Sequence, residues 1–138
     1  MRRYGTHLEG PASAFFLVLS NTELGTQEKD AIDKSAKALG WADGPSYVPV
    51  KNGDENALSP ADVFEIVEGL DPICIVIVGN EAREIAGQAF RCEVPAQGRF
   101  RLFGRDACAF NNLANLLESE AGKKTVWALL RGLPHASS

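Results

Sequence analysis

The stretch that decides the fold of this chain is Ile73-Cys74-Ile75-Val76-Ile77-Val78, closed by Gly79-Asn80-Glu81. Its six apolar residues, most of them β-branched, predict a strand that is buried on both faces. Such strands occur mainly in parallel sheets that helices cover on both sides. A second run of this kind, Ala14-Phe15-Phe16-Leu17-Val18-Leu19, leads into Ser20-Asn21-Thr22. The two runs together predict an α/β domain.

The size and composition of the chain predict one globular domain. It has 138 residues, of which 45% are apolar and 23% are charged, as is usual for a domain with a packed core. Residues 1–13 contain Gly5, Gly10 and Pro11 without periodicity, which predicts a flexible N-terminal arm. We expect a single α/β domain over 14–133 and a C-terminal tail over 134–138.

The net charge and the cysteines indicate which kinds of binding partner and which cellular compartment to expect. The net charge of −4 favours a protein or small-molecule partner over a nucleic acid. The cysteines, Cys74, Cys92 and Cys108, form no Cys-x-x-Cys pair, and the two histidines lie near the termini. We therefore expect no metal and no cofactor. Cys92 and Cys108 could pair, but an odd cysteine count favours reduced thiols and a cytoplasmic protein. The short apolar runs predict no membrane partner.

The remaining periodicity predicts helices and strands around the two buried runs. In the first half of the chain we predict a helix over 27–39, capped by Thr26 and stopped by Gly40, then an edge strand over 47–50, and then a helix that begins at Pro60, is capped by Ser59 and ends at Gly69. In the second half we predict a helix over 81–89, capped by Asn80, and a hairpin of strands 91–94 and 99–103. Two amphipathic helices follow: Phe110 and Leu117 mark the first, with Asp106 as its cap, and the second begins near Glu120. Trp41 and Trp127 are expected to fill the core. The sequence thus predicts a three-layer α/β/α fold with a mostly parallel sheet of four or five strands.

Polar residues follow both buried runs and form the candidate ligand site. These residues are Ser20, Asn21, Thr22, Gly79, Asn80 and Glu81. In an open α/β sheet, ligands bind beyond the carboxyl ends of the strands, where these residues are expected. The same residue types also cap helices, so a structural role is the competing interpretation. If the loops after Leu19, Val78 and Phe103 converge, they line one cleft.

Arginines alternate with apolar residues in the predicted hairpin. Arg99 and Arg101 should share one face, with Arg105 close in sequence, so these three are the candidate nucleic-acid contacts. The competing interpretation is a charged outer face that protects an edge strand from aggregation.

The sequence contains no strong catalytic signature. The region between the termini lacks a histidine for a nucleophilic triad, and no Gly-x-Gly-x-x-Gly motif for dinucleotides occurs. Carboxylate pairs such as Glu65 and Glu68 are expected on a polar helix face. Enzymatic activity is therefore left open, with a non-catalytic role preferred.

The second half of the chain resembles the uracil-DNA glycosylase-like superfamily. The resemblance covers about residues 60–132 and consists of the buried strand to Val78, the following Gly-Asn-Glu-Ala with Ile85-Ala86-Gly87, the hairpin, and a final helix containing Lys123-Lys124-Thr125-Val126-Trp127. It implies a uracil-DNA glycosylase-like fold.

The resemblance does not extend to the catalytic motifs of that superfamily. Its active members carry an acidic or asparagine motif after the first strand and a His-Pro-Ser loop after the last. The corresponding stretches here look like Ser20-Asn21-Thr22-Glu23 and Gly104-Arg105-Asp106-Ala107, which contain no histidine. The psi subunit of DNA polymerase III looks like a non-catalytic relative of comparable length.

Two functions remain as hypotheses at this point. The first is a non-catalytic, uracil-DNA glycosylase-like domain that binds a protein partner in or near DNA metabolism. The alternative is an enzyme that binds a small molecule or nucleotide in the crevice at the carboxyl ends of the parallel strands.

Overall fold

The computed structural model describes residues 16–21, 24–40, 46–50, 58–70, 72–102 and 104–133. The predicted arm and tail, together with Thr22 and Trp41, lie outside these ranges. The strands are β1 (Phe16–Ser20), β2 (Ser46–Pro49), β3 (Cys74–Val78), β4 (Gln97–Leu102) and β5 (Arg105–Phe110). The helices are α1 (Thr26–Ala38), α2 (Pro60–Leu70), α3 (Asn80–Phe90), α4 (Leu113–Leu116) and α5 (Glu120–Arg131).

The five strands form one sheet in the order β2-β1-β3-β5-β4. β1 pairs in parallel with β2 and β3, β3 pairs in parallel with β5, and only β4 runs antiparallel, at the edge. The two apolar runs therefore lie side by side and point the same way, as predicted. Every residue of β1 and β3 is buried, because helices cover both faces of the sheet. The predicted mostly parallel α/β sheet is confirmed.

Alternate residues of the central strands divide the core into two layers. Leu17, Leu19, Ile75 and Ile77 pack with α2 and α3 on one face. The intervening residues of β1 and β3 pack on the other face with α1, α4 and α5. This two-residue alternation is the normal geometry of a strand, and it gives the helix–sheet–helix arrangement that the sequence predicts.

Local signals fix several helix ends as expected. Ser59 and Asp62 exchange hydrogen bonds at the start of α2, the Asp62 N–H donating to Ser59 Oγ at 3.1 Å and the Ser59 N–H to Asp62 Oδ2 at 3.0 Å. Gly40 follows α1 with φ of 94°, a left-handed conformation that glycine adopts without strain. Two predicted caps are displaced by one residue, since Gly25 and Gly79 precede the first residues of α1 and α3.

The predicted hairpin is wrong in its strands. Residues 91–94 form no strand, and β4 pairs instead with β5. The segment that forms β5 was predicted to contain the cap and the start of a helix. Asp106 is accordingly a strand residue that lies opposite Arg101, not a helix cap. Phe110 ends β5, and the helix begins three residues later at Leu113. The small residues Ala107, Cys108 and Ala109 give β5 little strand propensity of their own, so its pairing comes from the neighbouring strands.

Trp127 does not fill the core, contrary to the prediction. Its side chain is 38% exposed, whereas Val126 and Leu130 occupy the buried positions of α5. Val126 and Leu130 are four residues apart and therefore lie on one helix face, which turns Trp127 away from the sheet. Cys74 is buried, as its place in the apolar run predicts. Cys108 is also buried, Cys92 is exposed, and none of the three cysteines forms a disulfide.

Candidate functional site

The carboxyl ends of β1, β3 and β5 meet at one edge of the sheet. Ser20 lies beside Val78, and Val78 beside Phe110. The ladder continues one residue beyond the strands, because the Asn21 N–H donates to the Val78 carbonyl at 3.2 Å and the Gly79 N–H to the Phe110 carbonyl at 2.8 Å. The loops that follow these strands therefore converge in a crevice.

The third loop of this crevice is not the expected one. Because β4 is antiparallel, the turn at Gly104 joins Leu102 to Arg105 at the other end of the strands, beside the start of β5. The crevice instead receives Asn111 and Asn112, which follow β5. The stretch after the last parallel strand is therefore 111–112, and not the Gly104-Arg105-Asp106-Ala107 stretch that the sequence analysis assigned to this place.

Asn21 links two of the converging loops. Its Oδ1 accepts a hydrogen bond of 2.8 Å from the N–H of Ala82, in the first turn of α3. Gly79 at the cap position has no side chain to satisfy this turn, so Asn21 supplies the cap from a different strand. Gly79 has φ of 103°, and a Cβ there would collide with the Asn21 side chain. Asn21 and Gly79 thus form one structural unit.

The other candidate ligand residues have different environments. Ser20 is 2% exposed, and its carbonyl accepts a hydrogen bond of 2.7 Å from the Val50 N–H. The Asn80 Oδ1 accepts a hydrogen bond of 2.6 Å from Arg83 Nη1 at the surface. Glu81 is partly buried in the first turn of α3, and Thr22 lies outside the described residues. The structure therefore brings Ser20, Asn21 and Gly79 together, with Asn80 and Glu81 beside them at the start of α3.

The cavity in this crevice is small, at about 180 Å³. Ligand pockets usually measure roughly 300–1,000 Å³. Several of its oxygen atoms already accept internal hydrogen bonds: Glu28 Oε1 accepts one from the Gly25 N–H, and Asn112 Oδ1 caps α4 by accepting one from the Asn115 N–H. The crevice still offers amide groups, including that of Asn111, and the second carboxylate oxygen of Glu28. Amides donate and accept hydrogen bonds but do not act as general acids or bases, so Glu28 is the lining residue whose chemistry would suit that role.

The three candidate arginines do not share one surface. Arg99 and Arg101 lie on the same face of β4, as expected, and Arg99 packs against Gly132. Arg101 is paired with Asp106 at 3.1 Å. Arg105 lies opposite Leu102, is only 12% exposed, and approaches Glu68 of α2 at 3.4 Å. A nucleic-acid role for these residues stays a prediction.

A groove of about 480 Å³ lies between α1 and α5. One wall consists of α1 residues between Gln27 and Ser35, and the other of residues between Leu117 and Trp127. Leu117 and Val126 belong to the core beneath, so they give the groove an apolar floor. Its volume lies within the range of binding pockets.

Trp127 stands at the rim of this groove within a basic face of α5. Lys123, Lys124 and Arg131 lie four and three residues before it and four residues after it, spacings that place side chains on one helix face. The Arg131 guanidinium lies 5.7 Å from the centre of the indole ring, a cation–π distance. This basic face was not predicted from the sequence, although the same spacings could have indicated it.

A wider depression of about 740 Å³ lies over the end of α3, between Arg83 and Val94. Arg83 is held there by the carbonyls of Pro95, at 2.8 Å, and Val94, at 3.0 Å. Burial raises the pKa of the Cys92 thiol at its edge, which disfavours the reactive thiolate. The depression therefore presents a guanidinium that backbone carbonyls already hold in place.

Comparison of the sequence with protein-family models and with curated proteins finds no match. Within the described part of the chain, no helix combines the length and apolar character needed to cross a bilayer. The same residues contain no group of three or more histidine, cysteine, aspartate or glutamate side chains arranged to hold a metal ion.

Proposed function

We propose that this chain is a non-catalytic α/β domain that binds another protein through the groove between α1 and α5. The observation that carries the proposal is Trp127, which is 38% exposed beside an apolar floor. Tryptophan is one of the residue types that most often dominate the energy of protein–protein binding, in well-packed pockets from which a partner excludes water.

The hydrogen bonds in the crevice support a non-catalytic role. Asn21 is engaged as the cap of α3, and Asn112 as the cap of α4. A catalytic group must instead have its reactive atom free to meet the substrate. These asparagines therefore fit the competing interpretation of the candidate site, in which polar loop residues secure helix starts.

Kinship with the uracil-DNA glycosylase-like superfamily, and with it a role in or near DNA metabolism, is part of the proposal. It is supported by the parallel β1-β3-β5 core and by Gly79 directly after β3. We expect no release of uracil from a uracil-containing single-stranded oligonucleotide. Turnover that disappears in Asn21→Ala would contradict the non-catalytic assignment.

The alternative function, binding of a small molecule or nucleotide in the crevice, rests on the amides of Asn21, Asn111 and Asn112. The cavity of about 180 Å³ makes it the weaker candidate. A nucleotide present at 100 times its dissociation constant should raise the unfolding free energy by about 2.7 kcal/mol. A thermal-shift screen with nucleotides distinguishes the two functions, because a protein-binding domain should show no such shift.

Selection from a displayed library of random peptides tests the proposed function. Immobilised wild-type protein should enrich peptides that do not bind the Trp127→Ala variant, because truncating a hot-spot tryptophan typically removes at least about 2 kcal/mol of binding free energy. Phe64→Ala is the matched control, since Phe64 is 37% exposed but lies on α2, on the other side of the sheet. Enriched peptides that bind Trp127→Ala as well as wild type would contradict the proposal.

A further inference from the structure

The groove between α1 and α5 has a charge pattern that limits which protein segments fit it. We infer that it binds an acidic amphipathic helix of a partner protein. This inference rests on the proposed function and adds the chemistry of the partner.

The charges around the groove are mostly positive. Lys34, Lys123 and Lys124 line it together with one carboxylate, that of Asp30. Arg131 adds a further cation beside the indole. The chain as a whole carries a net charge of −4, so this surface has the opposite sign to the molecule. A segment with carboxylates along its edges would meet complementary charge here and be steered toward the groove.

The lysines at the rim are available to a partner. Lys34 pairs with Asp30 at 3.1 Å, and Lys123 approaches Glu120 at 3.5 Å, but each of these side chains is more than half exposed. Exposed ion pairs contribute only about 0–1 kcal/mol and exchange readily. Lys124 forms no ion pair with another residue that the structure describes. Partner carboxylates can therefore replace the present pairings at little cost.

The shape of the groove fits a short helix. The α1 residues that line it, from Gln27 to Ser35, recur at spacings of three and four and extend along about 12 Å of the helix axis. A third helix can lie between two others and place apolar residues at i, i+3, i+4 and i+7 on the floor. The floor offers Ala31, Leu117 and Val126, and Trp127 closes one side.

A nucleic acid fits this groove less well. Its floor is apolar, whereas nucleic-acid surfaces use polar and cationic groups along a phosphate backbone. The arginines that would extend a basic track are elsewhere, and Arg101 and Arg105 have carboxylate partners, Asp106 and Glu68. A protein segment is therefore the occupant that the groove favours.

Three designed helical peptides of about four turns test the inference. All carry leucines at i, i+3, i+4 and i+7, and their flanking positions are glutamate, glutamine or lysine. We expect the glutamate peptide to bind wild-type protein at least about tenfold more tightly than the lysine peptide, with an affinity that falls as NaCl rises from about 50 to 300 mM. Equal affinities of the glutamate and lysine peptides would overturn the inference.

Charge reversal at the groove supplies the decisive variant. Lys34→Glu/Lys124→Glu should invert the preference, so that the lysine peptide binds more tightly than the glutamate peptide. Lys29→Glu/Lys37→Glu is the matched control, because it changes the net charge of the protein by the same amount. Each double variant also replaces the lysine of one i,i+4 ion pair of α1 by glutamate, the partner being Asp30 in the test variant and Asp33 in the control. Circular dichroism verifies that both variants fold. If the control inverts the preference as well, the effect belongs to net charge and the inference falls.

The outcomes separate this inference from the proposed function. If the three peptides bind equally and Trp127→Ala abolishes all binding, the groove binds proteins but does not select acidic ones. If the glutamate peptide fails while library selection yields Trp127-dependent peptides, the acidic helix alone is rejected. If selection also fails, the proposed function falls with it. If a single-stranded oligonucleotide displaces the glutamate peptide, the occupant of the groove is a nucleic acid and the inference of an acidic helix is overturned.

Discussion

At the scale of single residues, Asn21 connects the sheet to α3. Its side chain accepts the Ala82 N–H that the cap residue Gly79 cannot satisfy. An amide oxygen in this position resembles an ordinary helix cap, except that it comes from 61 residues away in sequence. One of the six candidate ligand residues therefore has a defined structural role.

Replacement of Asn21 tests this task. Asn21→Ala should lower the free energy of unfolding by about 1–2 kcal/mol, the usual loss for a helix cap. Asn21→Asp should retain most of the stability, because a carboxylate accepts the same hydrogen bond and is favoured at a helix N-terminus. Urea denaturation measures both changes. Asn111→Ala serves as the control in the same crevice, and a loss in that variant equal to the loss in Asn21→Ala would contradict the capping role.

At the scale of elements, β1 and β3 could be predicted because their information is local. Their continuous runs of apolar residues favour a strand buried on both faces, and parallel pairing of the two strands brings the residues after Leu19 and Val78 to the same end of the sheet. β5 could not be recognised in this way. Ala107 and Ala109 have low strand propensity, and Phe110 lies at helical spacing from Leu113 and Leu117, so only tertiary pairing with β3 identifies the strand.

The groove was not predictable for a related reason. It exists because α1 and α5, distant in sequence, pack side by side on one face of the sheet. Sequence periodicity reports which face of each helix is apolar, but not which helices become neighbours. The spacing of Lys123, Trp127 and Arg131 was the one local signal, and an expectation that tryptophans fill cores concealed it.

The approach of α4 to α5 depends on Gly122. A Cβ there would collide with the Leu116 carbonyl oxygen, and the Gly122 N–H is also the donor to the capping Ser119 Oγ at 3.0 Å. Gly122→Ala should therefore destabilise the protein by about 1–3 kcal/mol, although alanine is the better helix former by about 1 kcal/mol. Lys124→Ala, on the same helix but exposed, is the control. A more stable Gly122→Ala protein in urea denaturation would show that this contact is not tight.

At the scale of the whole molecule, two buried thiols make stability depend on alkaline pH. Burial raises the pKa of Cys74 and of Cys108 to about 12 from the usual 9.0, with the charge of Asp106 adding to the effect at Cys74 and Arg99 opposing it at Cys108. Folding thus favours the neutral thiol. The contribution of these thiols to the free energy of unfolding is fully present below about pH 9 and is lost as the pH rises toward 12. The reason is that the unfolded chain releases thiol protons that the folded chain keeps.

Denaturation at two pH values measures this loss. Each thiol should reduce the free energy of unfolding by roughly 1 kcal/mol between about pH 8 and pH 10. Cys108→Ala should therefore lose about 1 kcal/mol less than wild type over this interval, whatever its stability at pH 8. Cys92→Ser, at an exposed position, should have a much smaller effect on the loss of unfolding free energy between these two pH values. An equal pH dependence in wild type and Cys108→Ala would contradict the thiol's contribution.

At the scale of the whole molecule, the two proposed functions place a partner at different sites, the crevice at the carboxyl ends of the strands and the groove between α1 and α5. Backbone-amide chemical-shift mapping during titration with the glutamate peptide, and separately with nucleotides, compares them directly. We expect peptide-induced shifts in α1 between Gln27 and Ser35 and in α5 around Trp127, with none from nucleotides. Nucleotide-induced shifts centred on Asn21, Gly79 and Asn111, with an undisturbed groove in both titrations, would contradict the account.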